Sequence, residues 1–273
     1  MEDKLNKGMI VVVCAPSQGG KDTMTEQIMH CIKVAGYSCG FPTAYKTRPQ
    51  RQTDPAYIKS VMSKDEIPVP ETSQIGYKIY GNQDVVYDKD EIQQHIDNGE
   101  IVFIATGDVG FSKTIKEMYK DDSMLIFIKR QQVSKNTMME EEIKRAGGKE
   151  KADLVKVEES VNKRIDEYQH MRNEYQEFVK DKNLGADYIM KNWFTLFGSE
   201  WNSQIGEFMR GEVYSAANLI MDIVNFNNDP ENANKSWRGN RRFVLSEEER
   251  NTNPLSLQED YFAYVNERRD REY

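Results

Sequence analysis

The chain has 273 residues, of which 38% are hydrophobic and 30% are charged, and its formal net charge is −8. This length is long for one domain and short for three, and the acidic balance argues against general nucleic-acid binding, which needs clustered positive charge. The three cysteines have no metal-binding or redox spacing, and no apolar run is long enough to span a bilayer. With no signal-peptide pattern at the N-terminus, the sequence favours a reduced cytoplasmic location.

The first predicted elements are a strand, a glycine-containing loop and a helix. Residues 10–13 are β-branched and apolar, which is typical of a strand buried on both faces. After Lys21, apolar residues recur at helical spacing from Met24 to Ile32. Backbone N–H groups of such a loop, together with the helix N-terminus, attract phosphate oxygens. The segment therefore predicts a phosphate-binding loop in which Lys21 reaches the outer phosphates.

This loop departs from the pattern G-x-x-x-x-G-K-[ST] at both ends, although Gly20 and Lys21 match it. Ala15 replaces the first glycine, at a cost of roughly 1–2 kcal/mol if the position needs a left-handed backbone. Asp22 replaces the hydroxyl residue that usually holds magnesium. Its carboxylate can bind Mg²⁺ directly, and Thr23 supplies a neighbouring hydroxyl. The alternative interpretation is an ordinary buried strand followed by a turn.

Strands and helices alternate after the loop. The predicted strands are residues 38–45, 77–80, 100–106, 123–129 and 186–191. The predicted helices are residues 88–98, 112–119, 154–179 and 205–226. This alternation predicts an α/β fold with a mostly parallel sheet and right-handed crossovers.

The character of the chain changes near residue 192. Residues 225–236 are rich in asparagine and predict a loop, and charged residues dominate from Trp237 onward. Ser256 and Glu259 form a capping-box pattern ahead of a terminal helix, which either docks on its own domain or binds a partner. We therefore expect one domain over residues 1–192 and a helical, charged extension over residues 193–273.

A second candidate phosphate-binding feature is TRPQR, residues 47–51. Arg48 and Arg51 lie three residues apart, and Pro49 stiffens the turn between them, which gives a fork suited to a phosphate dianion. A solvated basic turn explains this segment equally well when it is taken alone. The phosphate-binding loop predicted upstream favours the fork.

Taken in order, the motifs APSQGGK (15–21), TRPQR (47–51), YKIYGN (77–82) and GDVG (107–110) resemble those of the guanylate kinase family of nucleoside-monophosphate kinases. A late helix rich in arginine and glutamate, followed by ADYIMKN (186–192), also matches that family. The resemblance covers roughly residues 8–192. It implies a P-loop NTPase-type fold with a helical lid, ATP and Mg²⁺ as cofactors, and phosphoryl transfer to GMP or dGMP.

The resemblance also implies roles for individual residues. The expected ATP-binding residues are Ala15, Pro16, Ser17, Gln18, Gly19, Gly20, Lys21, Asp22 and Thr23. The expected acceptor-binding residues are Arg48, Arg51, Glu71, Tyr80, Asn82 and Asp108. The groups expected to act on the transferring phosphate are Lys21, Arg48, Arg164 and Arg172, with Arg145 as a further lid candidate. Positioning and positive charge are what phosphoryl transfer needs from a protein.

The sequence departs from the family pattern where the family recognises its acceptor. Ala44 replaces a serine, Asn82 replaces a threonine, and Glu71 is only a stand-in for the glutamate that reads guanine. The GKD of the loop is closer to the related kinase of ribose 1,5-bisphosphate. Two alternatives to a GMP kinase therefore stay open: a sugar-phosphate kinase of that type, and a silent binding module whose extension engages a protein partner or a second copy. Because such modules typically lose the loop lysine, Lys21 favours an enzyme.

Overall fold

The computed structural model describes residues 7–16, 19–50, 54–79, 83–129, 135–192, 203–240 and 242–251, and for residues 137, 141, 145, 164, 167–171 and 203–208 it describes the backbone. The strands are β1 Met9–Cys14, β2 Cys39–Gly40, β3 Ala44–Lys46, β4 Ile58–Ser60, β5 Gln74–Ile79, β6 Gln83–Asp88, β7 Ile101–Thr106, β8 Ser123–Lys129 and β9 Tyr188–Lys191. The helices are α1 Lys21–Val34, α2 Lys89–Asp97, α3 Val109–Tyr119, α4 Lys135–Arg145, α5 Leu154–Lys180, α6 Ser203–Asn228 and α7 Glu247–Asn251.

Five parallel strands form the larger sheet in the order β2-β7-β1-β8-β9, with β1 at the centre. Every residue of β1 is buried because helices cover both faces of the sheet. Its alternate side chains enter two cores, one shared with α1 and α6 and the other with α2, α3 and α5. The predicted α/β fold, a P-loop NTPase-type parallel sheet flanked by helices, is confirmed.

A second sheet has the order β4-β3-β6-β5, in which β6 is antiparallel to both β3 and β5. The single strand expected over residues 38–45 is wrong, because β2 belongs to the first sheet and β3 to the second. Pro42 lies between them and has no N–H group to donate, and the N–H of Thr43 donates to the Glu91 carboxylate at 3.0 Å instead. The sequence also missed β6, whose consecutive Val85 and Val86 enter different cores.

The helices largely agree with the sequence, and capping aspartates mark the starts of α2, α3 and α5. The carboxylate of Asp88 accepts a hydrogen bond from the Asp90 N–H at 2.9 Å and begins α2. Asp108 accepts from the Phe111 N–H at 2.6 Å, so α3 begins three residues before its expected start. α4 was not predicted.

The segment after residue 202 packs on the first sheet and helix α1. Apolar side chains of α6, including Val213 and Ile220, join the core that contains alternate residues of β1. Trp237 is fully buried and donates its indole N–H to the Asp121 carbonyl at 2.8 Å. The domain boundary expected at residue 192 thus falls next to a core that residues on both sides of it share. No described helix is both long and apolar enough to cross a lipid bilayer.

Arg238 ties this segment to the other side of the fold. Its guanidinium donates to the Lys120 carbonyl at 2.6 Å and to both carboxylate oxygens of Asp187, at 3.1 and 3.2 Å. Asp187 is buried and also accepts from Lys116 Nζ at 2.7 Å. Lys120, whose carbonyl accepts the hydrogen bond from Arg238, has a positive φ of 46°, a conformation that non-glycine residues rarely adopt.

Candidate functional site

The loop between β1 and α1 borders a cavity with a volume of about 520 Å³, a size typical of small-molecule sites. Its charged lining residues are Lys21, Asp22, Glu26, Lys46, Arg48, Asp54, Lys78 and Asp108. Its aromatic lining residues are Phe41, Tyr57, Tyr77, Tyr87, Phe103 and Tyr175. The carboxyl ends of the parallel strands β1 and β7 meet here, where open α/β sheets bind ligands.

Two glycines shape the part of the loop that precedes α1. A Cβ at Gly19 would lie 2.8 Å from the Ala15 Cβ and 2.9 Å from the Pro16 carbonyl oxygen, so no larger residue fits. Gly20 has a φ of 79°, which favours glycine, and a Cβ there would lie 2.4 Å from Asn192 Nδ2. That buried amide donates to the Gly19 carbonyl at 2.7 Å. Asn192, which follows the edge strand β9, therefore holds Gly19 in place.

Ala15 and Pro16 line the cavity and are both buried. Ala15 continues the strand pairing, because its N–H donates to the Thr106 carbonyl at 3.0 Å. Lys120 is the described non-glycine residue with a positive φ, so Ala15 does not adopt a left-handed conformation. The alanine at this position consequently carries no conformational penalty.

Lys21 and Asp22 lie at the N-terminus of α1, on the wall of the cavity. Lys21 Nζ lies 3.3 Å from Asp22 Oδ2, and the Asp22 side chain is 70% exposed. A carboxylate at this edge supplies the hard oxygen ligand that Mg²⁺ prefers, so the residue fits the ion implied by the resemblance. Thr23 is exposed and does not line the cavity. Within the described residues, no group of three or more His, Cys, Asp or Glu side chains could hold a metal by itself.

Arg48 also lines the cavity, but a carboxylate engages its guanidinium. Nη1 and Nη2 donate to the two oxygens of Asp54 at 2.7 and 2.6 Å, and Nη1 also donates to the Pro49 carbonyl at 2.9 Å. The two side chains are 7% and 6% exposed. The acceptor phosphate expected to bind Arg48 would therefore meet an arginine that already forms a buried bidentate pair.

Lys46 is a cavity residue that no sequence motif indicated. It shares a face of β3 with Ala44, and both line the cavity, whereas Tyr45 packs on the opposite side against Ile67 and Val69. Burial, reinforced by the nearby charges of Arg48 and Lys21, lowers the pKa of the Lys46 ammonium. The two-residue alternation of β3 was the signal that could have identified Lys46.

Asp108 and Tyr175 border the cavity from α3 and α5. Asp108 lines it while its carboxylate caps α3, so this predicted acceptor contact already accepts one hydrogen bond. The Tyr175 hydroxyl donates to the Gly107 carbonyl at 3.0 Å, which fastens α5 to the loop after β7. Arg172, one turn earlier on α5, is exposed and does not line the cavity.

The remaining predicted site residues are Glu71, which the structure describes fully, and several residues that it describes only in part or not at all. Glu71 is exposed on a short 3₁₀ turn, and the structure does not bring it to the cavity. The backbone of Arg164 lies in α5 and that of Arg145 in α4. Outside the described residues lie Ser17, Gln18, Arg51, Tyr80 and Asn82, and the side chains of Arg145 and Arg164.

Aromatic rings form much of the apolar wall. Phe41 and Tyr57 stack with centroids 4.4 Å apart, and Tyr77 packs against Phe111 with centroids 4.8 Å apart. Burial raises the pKa of Tyr77 to about 12, although a hydrogen bond with Thr106 opposes that rise. The tyrosine hydroxyl therefore stays protonated at neutral pH. Such a wall suits a ligand with a flat ring.

No protein-family profile matches the chain, and no curated protein matches its sequence. Among solved structures, the chain is similar to a guanylate kinase from Anaplasma phagocytophilum, with 14% identity, a TM-score of 0.42, and coverage of 88% of this chain and 98% of that one. It is also similar to a gluconokinase from Sinorhizobium meliloti 1021, with 13% identity, a TM-score of 0.34, and coverage of 80% and 96%. Values this low assign no activity, and the fold stands on its own strand order and on the β1–loop–α1 unit.

Proposed function

We propose that this chain is an ATP-dependent kinase that phosphorylates a small phosphorylated acceptor, with GMP or dGMP as the first candidate. One observation carries the proposal: a glycine loop with its lysine and a second basic wall face the same cavity. Lys21 lines this cavity from the start of α1. Lys46, the last residue of β3, and Arg48, two residues farther along the chain, also line it. Two phosphate groups brought together in one cavity are what phosphoryl transfer requires.

On the donor side, the loop before α1 receives the phosphates of ATP. Its N–H groups and the N-terminus of α1 favour negative charge, and Lys21 adds a mobile ammonium for the outer phosphates. Asp22 would hold Mg²⁺, which neutralises charge on the phosphate oxygens when it is bound. The hydrogen bond from Asn192 to the Gly19 carbonyl would hold the loop in the conformation that binds ATP.

On the acceptor side, the aromatic wall supports a nucleotide over a ribose bisphosphate. A sugar bisphosphate has no flat ring to place against Phe41, Tyr57 or Tyr77, whereas a base stacks on such rings. Glu71 does not line the cavity, and Ala44 offers no hydroxyl. We therefore expect firm recognition of the acceptor phosphate and loose discrimination between bases.

The lid is the part of the proposal that depends on movement. The segment containing α4 and α5 carries Arg145, Arg164 and Arg172, and a closing motion would bring one or more of them to the transferring phosphate. Tyr175 holds α5 to the loop after β7, so the motion must occur in the part of α5 that precedes it.

Turnover of ATP against a panel of acceptors tests this function. The panel consists of GMP, dGMP, AMP, CMP, UMP, dTMP, ribose 1,5-bisphosphate and gluconate. We expect ADP formation with GMP or dGMP, weaker base discrimination than a dedicated guanylate kinase shows, and loss of activity in Lys21→Met. Because that ammonium meets charge that develops at the outer phosphates, the loss should be on the order of 100-fold or more.

Each other outcome contradicts part of the proposal. Turnover with ribose 1,5-bisphosphate and with no nucleotide would identify a sugar-phosphate kinase. Binding of ATP with no turnover on any acceptor would indicate a silent module. Full activity of Lys21→Met, with an unchanged melting temperature, would overturn the role of the loop.

A further inference from the structure

The acceptor side of the cavity contains two basic side chains in different electrostatic states. Arg48 forms a bidentate pair with Asp54, at 2.7 and 2.6 Å, and both side chains are buried. The pair is close to neutral as a unit, and a phosphate that approached Arg48 would also approach the carboxylate of Asp54. Arg48 is therefore poorly placed to be the main cation for a dianion.

Lys46 is in the opposite state. It is half-buried on the wall of the cavity, and no described residue lies within hydrogen-bonding or ion-pair distance of its ammonium. Burial and the charges of Arg48 and Lys21 lower its pKa, while Asp22 and Asp54 only partly offset those effects. The negative charge of an anion in the cavity would offset the cost of burying this ammonium, which Asp22 and Asp54 offset only in part.

The backbone around Lys46 is also held firmly. Its carbonyl accepts from the N–H groups of Arg48, at 2.9 Å, and Val61, at 3.0 Å. The adjacent Thr47 both donates its N–H to the Asp84 carbonyl, at 3.1 Å, and accepts from the Asp84 N–H through its hydroxyl, at 2.7 Å. The ammonium is thus carried on a flexible stem from a fixed point, which suits the capture of a phosphate.

We propose that Lys46 binds the phosphate of the acceptor, and that the Arg48–Asp54 pair is a positioning element that fixes the chain leaving β3. This inference rests on the proposed function, since it assigns a residue to the acceptor of that reaction. It replaces the fork of two arginines with a single lysine supported by a neutral pair. The geometry requires no change in the Arg48–Asp54 contact when the acceptor enters.

Four variants test this assignment: Lys46→Met, Lys46→Arg, the double variant Arg48→Met with Asp54→Leu, and Lys59→Met. Lys59 is an exposed lysine of the adjacent strand β4 that does not line the cavity, so its variant controls for the loss of one positive charge. Initial rates are measured against GMP at saturating ATP and against ATP at saturating GMP. Binding of GMP alone is measured by calorimetry, and melting temperatures identify unfolded variants.

For Lys46→Met we expect a rise of about tenfold or more in the KM for GMP and a matching loss of GMP binding, with the KM for ATP changed by less than about twofold. Lys46→Arg should recover part of the affinity, and Lys59→Met should behave as the wild type. The double variant, if folded, should retain more GMP affinity than Lys46→Met. An unchanged KM for GMP in Lys46→Met, or a larger loss in the double variant, would overturn the assignment.

The binding measurement separates this inference from the proposed function. If the wild type binds GMP without turnover and Lys46→Met does not bind it, the kinase proposal fails and the role of Lys46 stands. If turnover occurs and Lys46→Met binds GMP normally, the kinase proposal stands and the role of Lys46 fails. If the wild type binds none of the phosphorylated acceptors of the panel, both fail.

Discussion

Arg48 and Asp54 are the two residues of the cavity whose substitution should affect stability most directly. Their charges are buried together, and removal of one partner leaves the other charge buried and uncompensated. Arg48→Met should therefore lower the free energy of unfolding by about 3–5 kcal/mol, measured by urea denaturation. Adding Asp54→Leu should restore most of that stability, because a pair of apolar side chains leaves no charge unpaired.

The outcome of this cycle also bears on the acceptor site. If Arg48→Met is as stable as the wild type, the pair contributes nothing to the fold, and Arg48 becomes available as a binding group. An Arg48→Met protein that unfolds at lower denaturant and is rescued by the second substitution supports a positioning role. Asp54→Asn, which keeps the shape of the carboxylate, is the matched control for loss of charge alone.

Asn192 is the second residue whose substitution has a specific expected effect, which is weaker ATP binding. Its amide donates to the Gly19 carbonyl at 2.7 Å and occupies the space that a Cβ at Gly20 would need. Asn192→Ala should weaken ATP binding by about tenfold, roughly the value of one hydrogen bond to a buried carbonyl that is left without its donor. Nucleotide titration of the variant provides the measurement.

Gly20→Ala completes this test, because it adds a methyl group at the same contact and at a φ of 79°. We expect it to weaken ATP binding at least as much as Asn192→Ala does. Binding of ATP at wild-type affinity by both variants would show that the loop holds its conformation without the amide.

At the residue scale, the sequence identified residues that belong to a motif, and it missed contacts that depend on which residues fold next to each other. Lys21 follows two glycines and precedes a helical pattern, so its place between the loop and α1 was predicted. Asn192 ends the ADYIMKN motif, but no pattern in the sequence indicates that its amide reaches a loop 173 residues away. Arg48 looked like a free cation because the sequence does not reveal that Asp54 lies opposite its guanidinium.

At the element scale, Asp22 has two possible roles at the N-terminus of α1: interaction with the helix dipole and binding of Mg²⁺. Asp22 is the acidic residue of its first turn and is 70% exposed, so it interacts favourably with the helix dipole and also lies at the cavity edge. If it holds Mg²⁺, Asp22→Ala should raise several-fold the Mg²⁺ concentration needed for half-maximal turnover. Asp22→Ser, which returns the usual hydroxyl, should largely restore the original requirement.

The measurement is a Mg²⁺ titration of ATP turnover at fixed free ATP, with Thr23→Ala as the control. Thr23 is exposed and does not line the cavity, so its variant should match the wild type. An unaltered Mg²⁺ requirement in Asp22→Ala would show that Asp22 does not hold Mg²⁺ and interacts only with the helix dipole.

Strands and helices were predicted with different success for a physical reason. Strands β1, β7 and β8 are apolar along most of their length because helices cover both faces, and the sequence marks them clearly. The strands of the smaller sheet are short or mixed in pattern, and β3 and β4 have three residues each. Helix α2 was placed to within a residue because Asp88 marks its start, whereas α3, capped by Asp108, begins three residues before its expected start.

At the scale of the whole molecule, the segment after residue 202 should be needed for folding of the rest. Val213, Ile220 and Trp237 complete the core on one face of the first sheet, and Trp237 is fully buried. Trp237→Ala should lower the free energy of unfolding by about 3–5 kcal/mol, through lost burial and a cavity. A chain that ends at Asn192 should aggregate, because it would expose that apolar face to water.

Solubility and circular dichroism of two shortened chains test this expectation. A chain that ends at Asn251 retains the described contacts of α6, Trp237 and Arg250, and it should fold. A soluble, cooperatively melting chain that ends at Asn192 and binds ATP would instead support the boundary expected from the sequence. The sequence suggested that boundary because the family resemblance stops there, whereas core sharing between distant segments has no local signature.

The amide contact of Asn192 also has a consequence for the order of events during synthesis. The contact joins residues 173 positions apart, so a ribosome that adds about 5–20 residues per second produces the loop roughly 9–35 s before its partner. During that interval the nascent chain contains every glycine of the loop and the lysine, yet not the group that holds them in place. If the site binds ATP as proposed, ATP stabilises only the formed site, so it would assist folding late in translation and not while the first half of the chain emerges.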